Sequence, residues 1–151
     1  MSEVSFYHLQ AQPVEAALPR LLERVLEAGL RAVVRTPDRG VSEFLDQALW
    51  TYDPAAFLPH GTKRSGHSEH QPVYLTSGNE VPNGAEALIV INDAEMGELG
   101  EFKRCFLIFD GRSDSILELA RQRWRELEAS GHELTYWQQT DQGRWEKGTG
   151  L

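Results

Sequence analysis

Residues 104–131 read RCFLIFDGRSDSILELARQRWRELEASG. The first six residues form an almost continuous apolar run, the pattern of a strand covered on both faces. Residues 113–131 then read as one helix of about five turns. Ser113 or Asp114 can cap its start, because a short side-chain oxygen accepts from the free N–H groups of a first turn. Gly131 can end it in the left-handed conformation that costs glycine least. Ile116, Leu119, Ala120, Arg123 and Leu127 recur at three- and four-residue steps and mark the buried side. A neighbouring stripe of Leu117, Arg121, Trp124 and Arg125 sets an indole and an aliphatic group beside two guanidinium groups. Such a stripe suits a ligand that is apolar and negatively charged. Its bland alternative is a solvated basic face with Trp124 lying flat for packing.

The same alternation extends outward in both directions. Residues 132–139 (HELTYWQQ) predict the last strand, with Leu134, Tyr136 and Gln138 alternating against Thr135 and Trp137, and 141–151 read as a polar tail. Upstream, 95–102 is an acidic segment expected to form a short helix, and 87–91 (ALIVI) is a second fully apolar strand. Residues 73–76 (VYLT) predict a strand, 61–71 a polar surface loop, and 57–60 a short extended piece. Residues 42–50 predict a helix that buries Phe44, Leu45, Ala48 and Leu49, after turn chemistry at 37–40. Residues 31–36 predict a strand. Residues 13–28 predict a helix with Leu18, Leu21, Leu22 and Val25 inward, and 4–9 (VSFYHL) the first strand. Strands alternating with helices, the most apolar strands lying mid-chain, predict an α/β fold. It should be a three-layer α/β/α sandwich with a mostly parallel sheet and helices on both faces. With 151 residues and no linker or repeat, one domain is expected.

Charge and composition narrow the function. The chain carries 15 Lys+Arg against 23 Asp+Glu, a net charge of −8, so phosphate is repelled overall and strong direct DNA binding is not expected. Binding single-stranded DNA would need a basic groove with stacked aromatics. The single cysteine, Cys105, lies within an apolar run and is expected to be a buried thiol, and a cytoplasmic location fits. No stretch approaches the roughly 20 apolar residues of a membrane helix, and no signal peptide is evident.

Catalytic motifs are absent. There is no Walker loop, and the turn after the first strand holds Gln10-Ala-Gln-Pro13 instead of a glycine-rich phosphate loop. No G-x-S-x-G elbow occurs. His60, His67 and His70, with Glu69, share one polar region. They read as solvated loop histidines more readily than as metal ligands. Asp93 and Asp110 follow the two apolar strands, where α/β proteins place working residues. Asn92-Asp93 equally suits a helix cap. These features leave a small α/β enzyme or nucleotide-binding module as the rival reading; no cofactor is expected.

A second apolar-plus-polar cluster is Leu45-Asp-Gln-Ala-Leu-Trp50 leading to Phe57-Leu-Pro59-His60. There Trp50 and Phe57 frame a polar turn, as a satellite core or a contact surface. These two strings, with Phe6-Tyr7 in the first strand and Leu119-Ala-Arg-Gln-Arg-Trp124 in the late helix, resemble the chi subunit family of bacterial DNA polymerase III, part of the clamp-loader assembly. The likeness runs over nearly the whole chain. It implies a Rossmann-like fold without a nucleotide site, and no catalysis by this chain. It also implies an adaptor that grips the acidic, phenylalanine-ended C-terminal tail of single-stranded DNA-binding protein. By position, Arg121 would pair with the terminal carboxylate. Trp124 would wall the pocket where a tyrosine is usual, Arg125 would meet the acidic run, and Phe109 would floor the pocket. Leu117 stands where a basic residue is usual, which implies weaker or less salt-sensitive tail binding. Trp50, Phe57 and Pro59 match the surface used toward a second small subunit, psi, or another clamp-loader component.

Overall fold

The computed structural model describes residues 3–53, 59–63 and 66–151. Among the described residues eight strands form one sheet: β1 (Glu3–Leu9), β2 (Ala32–Arg35), β3 (Gly61–Thr62), β4 (Val73–Thr76), β5 (Ala87–Ile91), β6 (Arg104–Asp110), β7 (Glu133–Gln139) and β8 (Trp145–Gly148). Their spatial order is β3-β4-β2-β5-β6-β1-β7-β8. Every pairing is parallel except β7 with β8. The first strand lies between β6 and β7, so that Phe6 faces Leu107 on one side and Tyr136 on the other.

Side chains alternate across the pleat and feed two cores. On one face α1 (Val14–Glu27) and α2 (Arg39–Thr51) bring Leu18, Leu22, Leu45 and Leu49 onto Val34, Ile89, Ile91 and Ile108. On the other, α3 (Asp114–Ala129) brings Ala120 and Leu127 onto Phe6, Leu88, Val90, Leu107 and Phe109. The strand β5 supplies both cores and is buried along its whole length, as its unbroken apolar run requires. Cys105 is a buried free thiol within β6. The architecture is the expected α/β/α sandwich with a mostly parallel sheet.

Five local expectations are corrected. The 95–102 segment is not helical. Arg35 donates to the Met96 carbonyl within it (2.5 Å) and to that of Asn79 (3.3 Å), while Arg123 holds the residues just before it, donating to the carbonyls of Asn92 (2.8 Å) and Ala94 (2.6 Å). Asn92 therefore caps no helix; it sits at φ 49° and its side chain accepts from the Asp110 N–H at 2.8 Å. The 141–151 stretch contains β8, which pairs with β7 through a turn closed by Thr140 and Gly143. Within 37–40 the helix α2 already begins, at Arg39, because the Asp38 carboxylate accepts from the Val41 N–H at 2.9 Å and caps it. The polar 61–71 region contributes the edge strand β3 and a 3-10 turn, Ser68–His70. Phe57 and the rest of residues 54–58 lie outside the described residues, as do 64 and 65.

Candidate functional site

Arg123 turns inward from α3 while Arg121 and Arg125 turn out, as 100° per residue dictates. The Arg121 side chain is 48% exposed and Arg125 65%. Both reach toward one carboxylate, Glu118, at 3.9 Å. Pairs this long and this exposed contribute little, so both guanidinium groups stay available to a ligand. Leu117 and Trp124 are half-buried and pack on the core below them. The Trp124 ring stands edge-on to Phe6 (5.1 Å, 68°) and to Tyr136 (6.2 Å, 78°). The Phe109 ring is buried, 6.5 Å from Phe6, and lies flat against His8 at 4.8 Å.

Two members of this aromatic floor escaped the sequence reading: His8 and Tyr136. The His8 imidazole Nδ1 lies 2.7 Å from the Tyr136 hydroxyl, although the residues are 128 positions apart. Parallel strands β1 and β7 bring them together. Burial holds the His8 imidazole below its usual value; Arg121 adds to this and Asp110 opposes it. Burial likewise pushes the Tyr136 hydroxyl up, with Arg121 pulling the other way. The guanidinium of Arg121 is thus felt at both groups, over a floor that is otherwise apolar. Gly111 makes room for His8, since a Cβ there would fall on the imidazole.

The second cluster lies on α2. Leu45 and Leu49 face the core, while Trp50 is 50% exposed and Phe44, expected inward, is 55% exposed. The Trp50 indole lies 4.4 Å from the His60 ring. His60 is buried, not solvated as expected, and its Nε2 meets the Asp46 carbonyl at 2.9 Å and the Asp46 carboxylate at 3.3 Å. Burial raises the Asp46 carboxyl, with His60 opposing. Asp46 and His60 therefore tie the two halves of the Leu-Asp-x-Ala-Leu-Trp and Pro-His strings together. Pro59 is half-buried. Among the described residues the three loop histidines form no group that could hold a metal: His60 is buried against Asp46, and His70 is exposed beside Glu69.

One place where α/β proteins bind nucleotides, the turn after the first strand, is filled by the chain's own groups. At the β1–α1 turn, the N–H groups of Gln10, Ala11 and Gln12 all donate to the Gln139 carboxamide oxygen, at 3.2, 2.9 and 3.0 Å. A cavity of about 500 Å³ lies between the start of α2, β3 and the end of β4 and is lined by Arg39, Ser42, Lys63, Thr76 and Glu80. Thr76 donates to Glu80 at 2.7 Å, and Arg39 pairs with Glu43 at 3.2 Å. Asp110 is bound at both carboxylate oxygens by Arg112. Among the described residues no three His, Cys, Asp or Glu side chains are placed to hold a metal, and no helix is long and apolar enough to cross a membrane.

A parallel-sheet α/β/α protein with an exposed guanidinium pair over an aromatic floor is the class these features define. The family model described as DNA polymerase III chi subunit, HolC, matches residues 1–135. A Rickettsia prowazekii protein named "Probable DNA polymerase III subunit chi" is 30% identical over 109 residues, 72% of this chain and 66% of its own length, just under two thirds. The "DNA polymerase III subunit chi" of Pseudomonas aeruginosa is 26% identical over 138 residues, 89% of this chain and 94% of that protein. The chain belongs to the DNA polymerase III chi subunit family, a family of replication accessory subunits.

Proposed function

We propose that the chain is a non-catalytic adaptor of the replicase, cytoplasmic, that grips the acidic tail of single-stranded DNA-binding protein and links it to the clamp-loader assembly. The observation that carries this reading is the arrangement on α3: exposed Arg121 and Arg125 beside half-buried Leu117 and Trp124, above Phe109. A peptide end with a carboxylate, an acidic run and a terminal ring needs a guanidinium, further positive charge and an apolar wall. Arg121 takes the carboxylate, Trp124 and Leu117 the ring, and Arg125 the acidic run. Phe109 sets the floor from beneath; being buried, it acts through the rings above it. Trp50, exposed on α2 and backed by His60, serves with Pro59 as the face toward psi or another clamp-loader component, to which the sequence likeness also assigns Phe57.

An acidic peptide ending in Pro-Phe should bind with micromolar affinity, roughly −7 to −8 kcal/mol. A thermal-shift comparison of that peptide with nucleotides and divalent metals tests the reading. Stabilisation by the peptide supports it. Stabilisation by a nucleotide, with none from the peptide, would favour the enzyme or nucleotide-module reading instead.

A further inference from the structure

We propose that residues 149–151 are an internal competitor for the peptide site, covering the Trp124 indole and lifting away when a peptide end arrives. This rests on the peptide-binding reading above and adds regulation to it. The segment continues β8 across the α3 face of the sheet. A Cβ added at Gly148 would meet the Tyr136 ring at 2.5 Å, and one added at Gly150 would meet the Trp124 six-membered ring at 3.0 Å. The backbone therefore lies directly on both aromatic rings, and glycine at 148 and 150 is what allows it. Leu151 is half-buried against the same core cluster as Trp124 and Tyr136.

The cover is loose. Among the described residues no hydrogen bond or ion pair fastens 149–151 to the rest of the fold. Apolar contact alone holds it, and contacts of that kind open at low cost. What it offers the indole is what an incoming peptide end would offer: flat backbone and one bulky apolar side chain. Both cannot occupy the same face. A segment closed nine-tenths of the time lowers the apparent affinity about tenfold, because only the open fraction binds.

The test uses the full chain and a synthetic acidic peptide ending in Pro-Phe. Leu151→Ser removes the apolar anchor, and Gly150→Val sets a branched side chain against the indole. Each should tighten peptide binding by about three- to tenfold relative to wild type. Each should also red-shift the tryptophan emission of the free protein, and that shift should vanish in a Trp124→Phe background. Unchanged or weaker affinity in both variants, while wild type still binds, would overturn the competition and leave the peptide site standing. Absence of peptide binding by wild type and both variants would defeat the peptide reading and the competition with it.

Discussion

The carboxamide of Gln139 shows how one side chain decides what a turn can bind. Three successive N–H groups at the β1–α1 turn converge on its oxygen, and its Nε2 donates to Gln12 at 2.9 Å. A convergent set of N–H groups before a helix is the usual anion cradle of a parallel sheet. Here a neutral oxygen from β7 fills it. Gln139→Leu should cost about 1–3 kcal/mol, because part-buried donors lose their acceptor and a buried amide is removed; urea unfolding measures this, and a loss below about 0.5 kcal/mol would contradict the role. Arg123 is the matching case on α3. Its two bonds to the carbonyls of Asn92 and Ala94 hold the β5–β6 connection just ahead of 95–102, so Arg123→Ala should destabilise by about 3 kcal/mol by the same assay. Neither partnership was legible in the sequence. Gln139 reads as the end of an alternating strand, and Arg123 falls on an apolar stripe without announcing which carbonyls it meets. Arg121, Trp124 and Arg125 were legible, because helical spacing alone places them together.

At the scale of elements, strands β5 and β6 were readable since unbroken apolar runs suit strands buried on both faces. The two missed strands have no such signal. β8 (WEKG) has charged residues and lies at the sheet edge, and β3 is two residues long. Pairing with a neighbour, not intrinsic propensity, makes each a strand. The α2 start was misplaced for the opposite reason: Pro37-Asp38-Arg39-Gly40 spells a turn, yet Asp38 caps the helix with its own carboxylate. Asp38→Ala should lower stability by about 1 kcal/mol. It should leave peptide binding on α3 unchanged, since α2 packs on the other face of the sheet. Loss of peptide affinity in this variant, measured by calorimetry, would show the two faces to be coupled.

For the molecule as a whole, pH acts through a few groups whose surroundings shift their titration. The folded protein holds the His8 imidazole below its ordinary 6.5, so the unfolded chain takes up a proton first. The stability this contributes is complete above about pH 6.5 and is lost as pH falls through the lower folded value. Asp110, held low chiefly by Arg112, and Glu80, held low chiefly by Thr76, add a second loss in more acid solution. Asp46, raised by burial, works in the opposite sense. Urea midpoints measured from pH 7.5 to 5.5 should fall in wild type, and His8→Gln should flatten that slope; an equal slope in both would remove His8 from the account. With a net charge of −8, the proposed attraction for an acidic peptide would act only at short range around Arg121 and Arg125. Salt, which screens beyond about 10 Å at 0.1 M, should therefore weaken the complex only moderately.

The central claim is that Arg121 receives the carboxylate end of an acidic peptide beside Trp124. Calorimetric titration of the full chain and of Arg121→Ala with an acidic peptide ending in Pro-Phe tests it most directly. Micromolar binding by the unaltered chain and at least a tenfold loss in the variant is the predicted result, since a charge-assisted pair is removed. Equal affinity in the two proteins would contradict it.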